Sequence, residues 1–198
     1  MVETAMDIQP VHKHRSRLLE GMAHAVAAKG YADTTIADIV REASVSRRTF
    51  YEHFSTKAQC LIALYGAASH NALKVLRDAI DPAQSWQTQV EVALSAYLGA
   101  MAMNPVLMRT LFIDILSLGA EGLEARRSVN REIAEFMLGV VNAPGSNRKK
   151  PLASGMAMAV VGGINELILE YIEQDKVAQL LELVGPASEL VKAVTLRE

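Results

Sequence analysis

The segment VSRRTFYEHF, residues 45–54, brings two guanidinium groups and a histidine close together. Ser46 is a residue type that caps helices, so a helix starting there carries Arg47 and Arg48 in its first turn. Unpaired N–H groups make that end of a helix electropositive, and a cation there costs about 0.3–1 kcal/mol. A bidentate contact from arginine to guanine is worth about 1–3 kcal/mol, which outweighs this cost. The two arginines therefore indicate a contact with bases or phosphates.

A third cation occupies the same unfavourable position on the next predicted helix. Ser55 is a candidate cap, which places Lys57 in the first turn after it. A cation beside unpaired N–H groups is typical of a phosphate-binding site. The alternative interpretation is that Arg47, Arg48 and Lys57 are solvated surface residues.

Periodic apolar residues predict three short helices around these cations. The first covers residues 12–29, with Leu18, Leu19, Met22 and Val26 on one face and Gly30 as its cap. The second follows Thr35, and the third covers residues 46–53. The last two are joined by a tight turn, so the sequence predicts a helix-turn-helix whose second helix enters the major groove.

The rest of the chain also favours helices, and no alternating strand pattern is convincing. Further helices are predicted after Ser55 up to Ile80 and over residues 84–103, 105–118, 122–142, 152–174 and 176–196, with a loop over 142–151. Gly185-Pro186 is expected to kink or break the last helix. We therefore predict an all-α chain of about nine helices. Residues 1–11 form a tail, 12–58 a helix-turn-helix domain, and 59–198 a helical-bundle effector-binding and dimerisation domain.

Composition excludes several classes of protein. The 198 residues are 51% hydrophobic and 21% charged, which fits a soluble globular chain. We expect no membrane span and no secretory signal, and the single cysteine, Cys60, fits a cytoplasmic location. Residues 12–57 carry eight Lys or Arg against five Asp or Glu, a net charge of +3, although the whole chain carries −2. A basic segment on an acidic body is suited to a polyanion, but a few charges either way would erase this difference.

Residues for catalysis or for metal binding do not form a recognisable pattern. His12, His14, His24 and His70 do not combine with Cys60 into a metal-ligand spacing. No glycine-rich phosphate loop, HExxH or GxSxG segment occurs. We therefore expect no enzyme activity, no metal and no cofactor, and we expect Cys60 to pack as a small apolar residue.

Residues 29–65, KGYADTTIADIVREASVSRRTFYEHFSTKAQCLIALY, resemble the DNA-binding module of the TetR family of bacterial transcriptional regulators. The resemblance implies DNA contacts that are shared among seven residues: Thr35, Arg47, Arg48, Thr49, Tyr51, His53 and Lys57. It implies bases or adjoining backbone for the arginines and phosphates for the others, with Phe50 and Phe54 in the core. The family usually has glycine at the turn position of Ser44, where a positive φ is often needed, so a serine there is expected to strain the turn.

The family resemblance also implies a small-molecule site and a dimer in the remaining chain. Residues of the body that could line an effector site are Trp86, Tyr97, Met101, Met103, Met108, Phe112 and Asn165. Methionines and aromatic rings suit an adaptable apolar cavity, although such a stripe is more often plain core. The last two helices, residues 152–196, are the expected homodimer interface, with a seam of Leu180, Val184, Ala187, Val191 and Val194. The alternative is that this seam packs inside one chain.

These patterns predict a homodimeric regulator, most simply a repressor that a small apolar or amphipathic effector releases from a palindromic operator in double-stranded DNA. Two alternatives remain open. One is a helix-turn-helix protein controlled by a partner protein, without a small-molecule switch. The other is a ligand-sequestering protein whose DNA module is degenerate, for which Ser44 is the suspect residue.

Overall fold

The computed structural model describes residues 8–143 and 150–195, and over these residues the chain is helical with no β-strand. The all-α class predicted from the sequence is confirmed. The α-helices are α1 (Ile8–Asp33), α2 (Ile36–Ala43), α3 (Arg47–His53), α4 (Lys57–Asp78), α5 (Trp86–Ala102), α6 (Pro105–Phe112), α7 (Ala120–Val141), α8 (Ser154–Glu173) and α9 (Val184–Thr195). Two 3₁₀ helices, Asp114–Leu118 and Val177–Leu183, follow α6 and α8. Most of the predicted tail and most of the predicted loop over 142–151 lie outside the described residues.

The described residues form two compact units. The first unit contains the chain up to Ala67 together with Arg109–Leu123. The second unit contains Ala68–Met108 together with the chain from Glu124 onwards. Helices α1, α2 and α3 lie wholly in the first unit, and α5, α8 and α9 lie wholly in the second. The predicted boundary after residue 58 stays a prediction.

Helix α1 ends its regular geometry at the predicted cap. Gly30 has φ of 79° and ψ of 164°, which only glycine adopts at low cost, and one further turn reaches Asp33. The hydroxyl of Thr34 donates to the carbonyl of Gly30 at 2.7 Å, which satisfies a group that the interrupted helix leaves free. The helix starts at Ile8, four residues earlier than the predicted start at His12.

Helices α1 and α2 cross at a glycine. A Cβ atom at Gly21 would lie 2.6 Å from the carbonyl oxygen of Ile39 and 2.9 Å from the Cβ of Ala43, closer than real contacts allow. The predicted inner face of α1 is buried around this crossing, with Leu18 and Met22 fully enclosed. The absence of a side chain at position 21 therefore sets how closely the helix-turn-helix packs onto α1.

The turn between α2 and α3 uses a left-handed serine. Ser44 has φ of 50° and ψ of 48°, and its N–H bonds to the carbonyls of Arg41 and Val40. The expectation of positive φ at this position is confirmed, and serine adopts it despite its Cβ atom. The guanidinium of Arg17 donates to the Ser44 carbonyl at 2.9 Å, which holds the turn against α1.

The core of the second unit joins α5, α8 and α9. A cluster of buried apolar side chains contains Val90 and Leu94 of α5, Val160 of α8, and Ala187 and Val191 of α9. The indole N–H of Trp86 donates to the hydroxyl of Thr195 at 2.9 Å. This bond joins the first residue of α5 to the last residue of α9. Together with the apolar cluster, it holds the two helices against each other.

The predicted helix over 176–196 is instead a 3₁₀ helix followed by α9. The change occurs at Val184, before Gly185-Pro186, so the expectation that this pair breaks the helix is wrong in position. Pro186 lies in the first turn of α9, where the N–H that proline lacks would have no helical partner. The predicted helix over 105–118 likewise becomes a 3₁₀ helix from Asp114.

Three residues of the predicted dimer seam are packed inside the chain. Leu180 and Ala187 are fully buried, and Val191 is 8% exposed, which favours the intrachain alternative for these three. Val184 and Val194 are half-buried, and the homodimer interface on the last two helices stays a prediction. The apolar residues that α8 leaves exposed are Met156 and Met158. This helix is long and apolar enough to pass a composition test for a membrane span, which core helices of soluble proteins also pass.

We predict that Ser44→Gly stabilises the protein by about 0.5–1 kcal/mol. Removing the Cβ relieves about 1–2 kcal/mol of left-handed strain, and the added freedom of glycine in the unfolded chain returns part of this gain. Urea unfolding measures the difference. Ser44→Ala is the matched control, because alanine keeps the Cβ and should give no gain. Equal stabilities for the glycine and alanine variants would contradict the strain.

Candidate nucleic-acid interface

Helix α3 is capped at its N-terminus by Ser46. The Ser46 hydroxyl accepts from the N–H of Thr49 at 3.0 Å. Arg47 and Arg48 occupy the first two helical positions and are exposed to solvent, as the sequence predicted for the helix start. Two guanidinium groups therefore project from an electropositive helix end, where anionic atoms would be attracted by both.

The two arginines have different surroundings. The guanidinium of Arg48 donates to the carboxylate of Glu52 at 3.1 Å, one turn along α3, and its side chain is 89% exposed. Such an exposed pair contributes about 0.3–0.5 kcal/mol and is easily given up. Arg47 has no ion pair or hydrogen bond with any residue that the structure describes. Of the two arginines, Arg47 is therefore the one that can bind a DNA atom without first breaking a bond to a described residue.

The aromatic residues of α3 divide between core and surface. Phe50 is fully buried and Phe54 is 5% exposed, so the expectation that both are core residues is confirmed. The ring of Tyr51 is 59% exposed and meets Phe50 edge to face, with 5.5 Å between ring centroids. This contact orients Tyr51 outward, where its hydroxyl and ring edge can reach a ligand.

Two of the predicted phosphate contacts are already used locally. The hydroxyl of Thr49 lies 2.9 Å from that of Ser46. The hydroxyl of Thr35 caps α2 by accepting from the N–H of Asp38 at 3.2 Å and donates to its carboxylate at 2.6 Å. These bonds hold both hydroxyls at helix starts, near N–H groups that have no helical partner.

His53 is half-buried at the end of α3. Burial and the nearby charges of His14 and Arg15 lower the pKa of His53, while Glu52 opposes them. The imidazole is therefore mostly neutral at pH 7, since its ordinary pKa is about 6.5. A neutral imidazole still offers an N–H to a phosphate oxygen, without a full charge.

Lys57 is directed inward at the end of α1. Its ammonium donates to the carbonyls of Tyr31 and Thr34 at 2.8 Å each and to that of Ala32 at 3.3 Å. It also lies 4.2 Å from the centroid of the Tyr31 ring, and burial lowers the pKa of this lysine. The three donors of one ammonium are thus directed at groups of the chain itself. The predicted phosphate contact stays a prediction, and a structural role is added to it.

The carboxylate of Asp38 connects α1, the start of α2 and the next turn. It accepts from Lys29 at 2.5 Å and from the N–H of Thr35 at 2.9 Å, and it lies 3.1 Å from the guanidinium of Arg41. The bonds from Lys29 and Thr35 hold the pKa of Asp38 well below its usual range. The predicted capping box at Thr35 is complete, and Lys29 extends it to α1.

Sequence reasoning missed two arginines on α1 that pack against the helix-turn-helix. Arg15 lies 5.7 Å from the ring centroid of Phe54, and Arg17 binds the turn at Ser44. Lys13, His14, Arg15 and Arg17 are close in sequence, which was the available signal. These residues add positive charge beside α3.

Cys60 is buried with its thiol directed at the carbonyl of Leu18, 3.9 Å away, and burial raises the pKa of Cys60 to about 12. The thiol is therefore protonated at neutral pH and packs as an apolar group. Among the residues described, no three or more His, Cys, Asp or Glu side chains come together as a metal site.

The residues predicted to line an effector site differ in their surroundings. Tyr97, Met101 and Met108 are buried in the second unit, and Phe112 belongs to the first unit. Asn165 is also buried, and its amide donates to Asn130 at 2.9 Å. Met103 follows the end of α5 at Ala102 and is 84% exposed. The effector role of these residues stays a prediction.

A cavity of about 100 Å³ lies in the second unit, and of those predicted residues only Trp86 lines it. We call it the apolar cavity. Helices α4, α5, α7, α8 and α9 contribute its walls. The lining residues are Leu76, Ile80, Trp86, Gln89, Val90, Ala93, Leu94, Ile133, Phe136, Met137, Val140, Val141, Val160, Val161, Ile164 and Val191.

Residues 18–64 match the sequence profile of the bacterial regulatory proteins of the tetR family. This segment of 47 residues is therefore a helix-turn-helix module of the TetR-family type. The match runs from α1 to α4 and includes α2, the Ser44 turn and α3. The family is one of transcriptional regulators, and the resemblance noted in the sequence is confirmed over these residues.

Individual relatives agree with this assignment. The chain is 29% identical over 97 residues to the uncharacterised HTH-type transcriptional regulator YxbF of Bacillus subtilis (strain 168), covering 48% of this chain and 26% of that protein. The fold matches the transcriptional regulator FadR of Bacillus subtilis, solved with stearoyl-CoA, with a TM-score of 0.74 and 17% identity over 89% of this chain and 96% of that one. FadR of Bacillus halodurans matches with a TM-score of 0.72 and 17% identity over 89% and 93% of the two chains.

We predict that Lys57→Met destabilises the protein by about 1–3 kcal/mol, because the carbonyls of Tyr31 and Thr34 lose a charged donor. Thermal or urea unfolding measures the change. Lys74→Met is the matched control on the same helix, because Lys74 is exposed and pairs only with Asp78 among described residues. Equal effects of the two substitutions would show that the carbonyl contacts contribute nothing.

We also predict that Asp38→Asn flattens the loss of stability in acid. In the native state the pKa of Asp38 is lowered, so its ionised form stabilises the fold above the unfolded-state pKa of about 3.9. This contribution is lost as the pH falls from about 4 towards the native pKa. Urea unfolding at pH 7 and at pH 3 measures the slope. Asp78→Asn removes an exposed pair and should keep the wild-type slope. An unchanged slope for Asp38→Asn would refute the assignment.

Proposed function

We propose that this protein is a homodimeric, site-specific DNA-binding repressor in which α3 is the recognition helix. One observation carries the proposal. Arg47 and Arg48 are exposed in the first turn of α3, while Ser46 provides the cap. The N-terminal residues of a recognition helix are the ones that face base edges in the major groove.

The two arginines have complementary roles in this proposal. Arg47, which has no internal partner among described residues, reads a guanine through its edge. Arg48 exchanges its exposed bond to Glu52 for a base or phosphate oxygen. The full proposed contact set is Thr35, Arg47, Arg48, Thr49, Tyr51, His53 and Lys57, in which the residues other than the arginines bind phosphates.

A dimer of such modules contacts two half-sites and so recognises a longer stretch of DNA than one module can. Two recognition helices reach successive major grooves when their half-sites lie about 34–36 Å apart. We place the interface on the last two helices, as the sequence indicated, but on their exposed faces. On α8, Gly155 and Ala159 are exposed beside Met156 and Met158, so a second backbone can approach closely there. The same face of a second chain would cover these methionines.

The second unit is the effector domain in this proposal. The apolar cavity supports it, because a repressor without a ligand switch has no need of an internal opening. FadR of Bacillus subtilis, which shares the fold, is described with stearoyl-CoA bound. Ligand binding would favour half-site separations that no longer match the operator. The chain is then a cytoplasmic, ligand-released repressor.

Each of the two alternatives is opposed by one observation. A partner-controlled protein without a small-molecule site does not account for the apolar cavity. A degenerate DNA module does not account for Ser44, which adopts the left-handed turn that places α3. Only DNA-binding measurements separate the repressor from a ligand-sequestering protein.

We predict that selection from random double-stranded DNA enriches a palindrome, and that Arg47→Ala weakens binding to it by about 1–3 kcal/mol. The loss should fall at one base pair of each half-site, because a base-reading arginine discriminates there. Gel-shift titrations against operators changed one base pair at a time measure this. Arg127→Ala, an exposed arginine on α7, is the matched control and should bind like wild type.

The salt dependence separates base reading from phosphate binding. Loss of one phosphate contact lowers the slope of log affinity against log salt by about 0.9, whereas loss of a base contact leaves the slope nearly unchanged. A uniform loss on every sequence with a smaller slope would make Arg47 a phosphate contact. Absence of any enriched sequence would overturn the proposed function.

A further inference from the structure

The walls of the apolar cavity are almost entirely hydrocarbon. Only Gln89 and Trp86 among its lining residues carry polar side-chain atoms other than sulfur. The amide N–H₂ of Gln89 donates to the backbone carbonyl of Gln84 at 2.9 Å. The indole N–H of Trp86 donates to Thr195 at 2.9 Å. The indole donor is therefore engaged by the protein, and the amide of Gln89 is held by one of its bonds, so a ligand meets mainly hydrocarbon.

A charged ligand group would also find no partner among the lining residues. None of them is Lys, Arg, Asp or Glu. A cation beside one lining residue is Arg77, whose guanidinium stacks 5.3 Å from the ring centroid of Phe136 and lies 3.9 Å from Glu132. Its side chain is 45% exposed, so it serves solvent and Glu132 rather than the cavity. A carboxylate inside would be desolvated without compensation, which proteins do not tolerate.

The size of the cavity limits the part of a ligand that it can enclose. Its volume is about 100 Å³. A cavity of about 150 Å³ lined by Leu, Ile and Phe is known to stay dry and to bind benzene. The apolar cavity has a similar lining, but it is partly open to solvent, and lining residues such as Phe136 and Val140 are only half-buried. Its enclosed part is suited to a single small ring or a short hydrocarbon.

We infer that the effector is a small uncharged hydrocarbon-like molecule, about the size of benzene, bound in the apolar cavity. The word effector rests on the proposed function, whereas the class of ligand rests on the cavity alone. Carboxylate and phosphate groups are disfavoured inside the cavity, because no lining residue carries a charge that could replace their bonds to water.

Binding of benzene and benzoate to the full-length protein tests the inference. The two probes share a ring, and only benzoate carries a charge at pH 7. We expect benzene to raise the melting temperature with increasing concentration, as binding to the native state requires, and benzoate to leave it unchanged. Equal binding of benzoate, or no binding of benzene, would overturn the inference.

Variants of α5 and α7 locate the site. Ala93→Leu adds three carbons to a lining position and should weaken benzene binding by about tenfold or more, because the added volume displaces the ligand. Ala100→Leu is the same substitution at an exposed position of α5 and should bind benzene like wild type. Val140→Ala enlarges the cavity at a less buried lining position and should improve binding of ethylbenzene relative to benzene. Wild-type behaviour of both lining variants would place benzene elsewhere and overturn the inference.

DNA binding is measured on the same samples. Benzene that binds without changing operator affinity would overturn its role as effector. Failure of the wild-type protein to bind any operator would overturn the proposed function and would leave the benzene measurement intact. Operator release by benzoate or by a coenzyme A thioester, with no response to benzene, would keep the repressor and refute the class of ligand.

Discussion

The helix-turn-helix depends on how the end of α1 is held. Helical geometry stops at Gly30, and the carbonyls of Tyr31, Ala32 and Thr34 are bound by the ammonium of Lys57. From the same end of α1, Lys29 reaches the Asp38 carboxylate that caps α2. These charged bonds are worth more than neutral ones in partly buried surroundings. They fix α2 and α4 to α1, and the Ser44 turn then sets the direction of α3.

The caps of α2 and α3 do not involve the two arginines. Ser46 caps α3, and Thr35 with Asp38 caps α2. Arg47 and Arg48 occupy an electrostatically unfavourable place at a cost of about 0.3–1 kcal/mol each. An anionic or electron-rich ligand offsets this cost. The position of the arginines therefore supports DNA binding more strongly than the net charge of the chain does.

Local features could be predicted from the sequence, and distant ones could not. The Thr35 capping box, the Gly30 break, the Ser46 cap and the positive φ of Ser44 each depend on neighbours within a few residues, so residue type sufficed. The contact of Lys57 with Tyr31 joins residues that are 26 positions apart, and no pattern in the sequence predicts it. In the second unit, helical periodicity identifies buried faces but does not reveal which of them leave a gap. Of the residues predicted for an effector site, Trp86 lines the apolar cavity and Met103 is exposed after the end of α5.

The same rule of hydrogen bonding accounts for the different ligands proposed for the two units. Around α3, an exposed guanidinium and unpaired helix N–H groups remain available, so the surface favours an anion that it can reach from solvent. Around the apolar cavity, Gln89 and Trp86 each bond within the protein, to Gln84 and Thr195, and every other lining side chain is apolar. A charged ligand group there would lose its bonds to water and would gain no ionic partner among the lining residues. The cavity therefore favours an uncharged, hydrocarbon-like group.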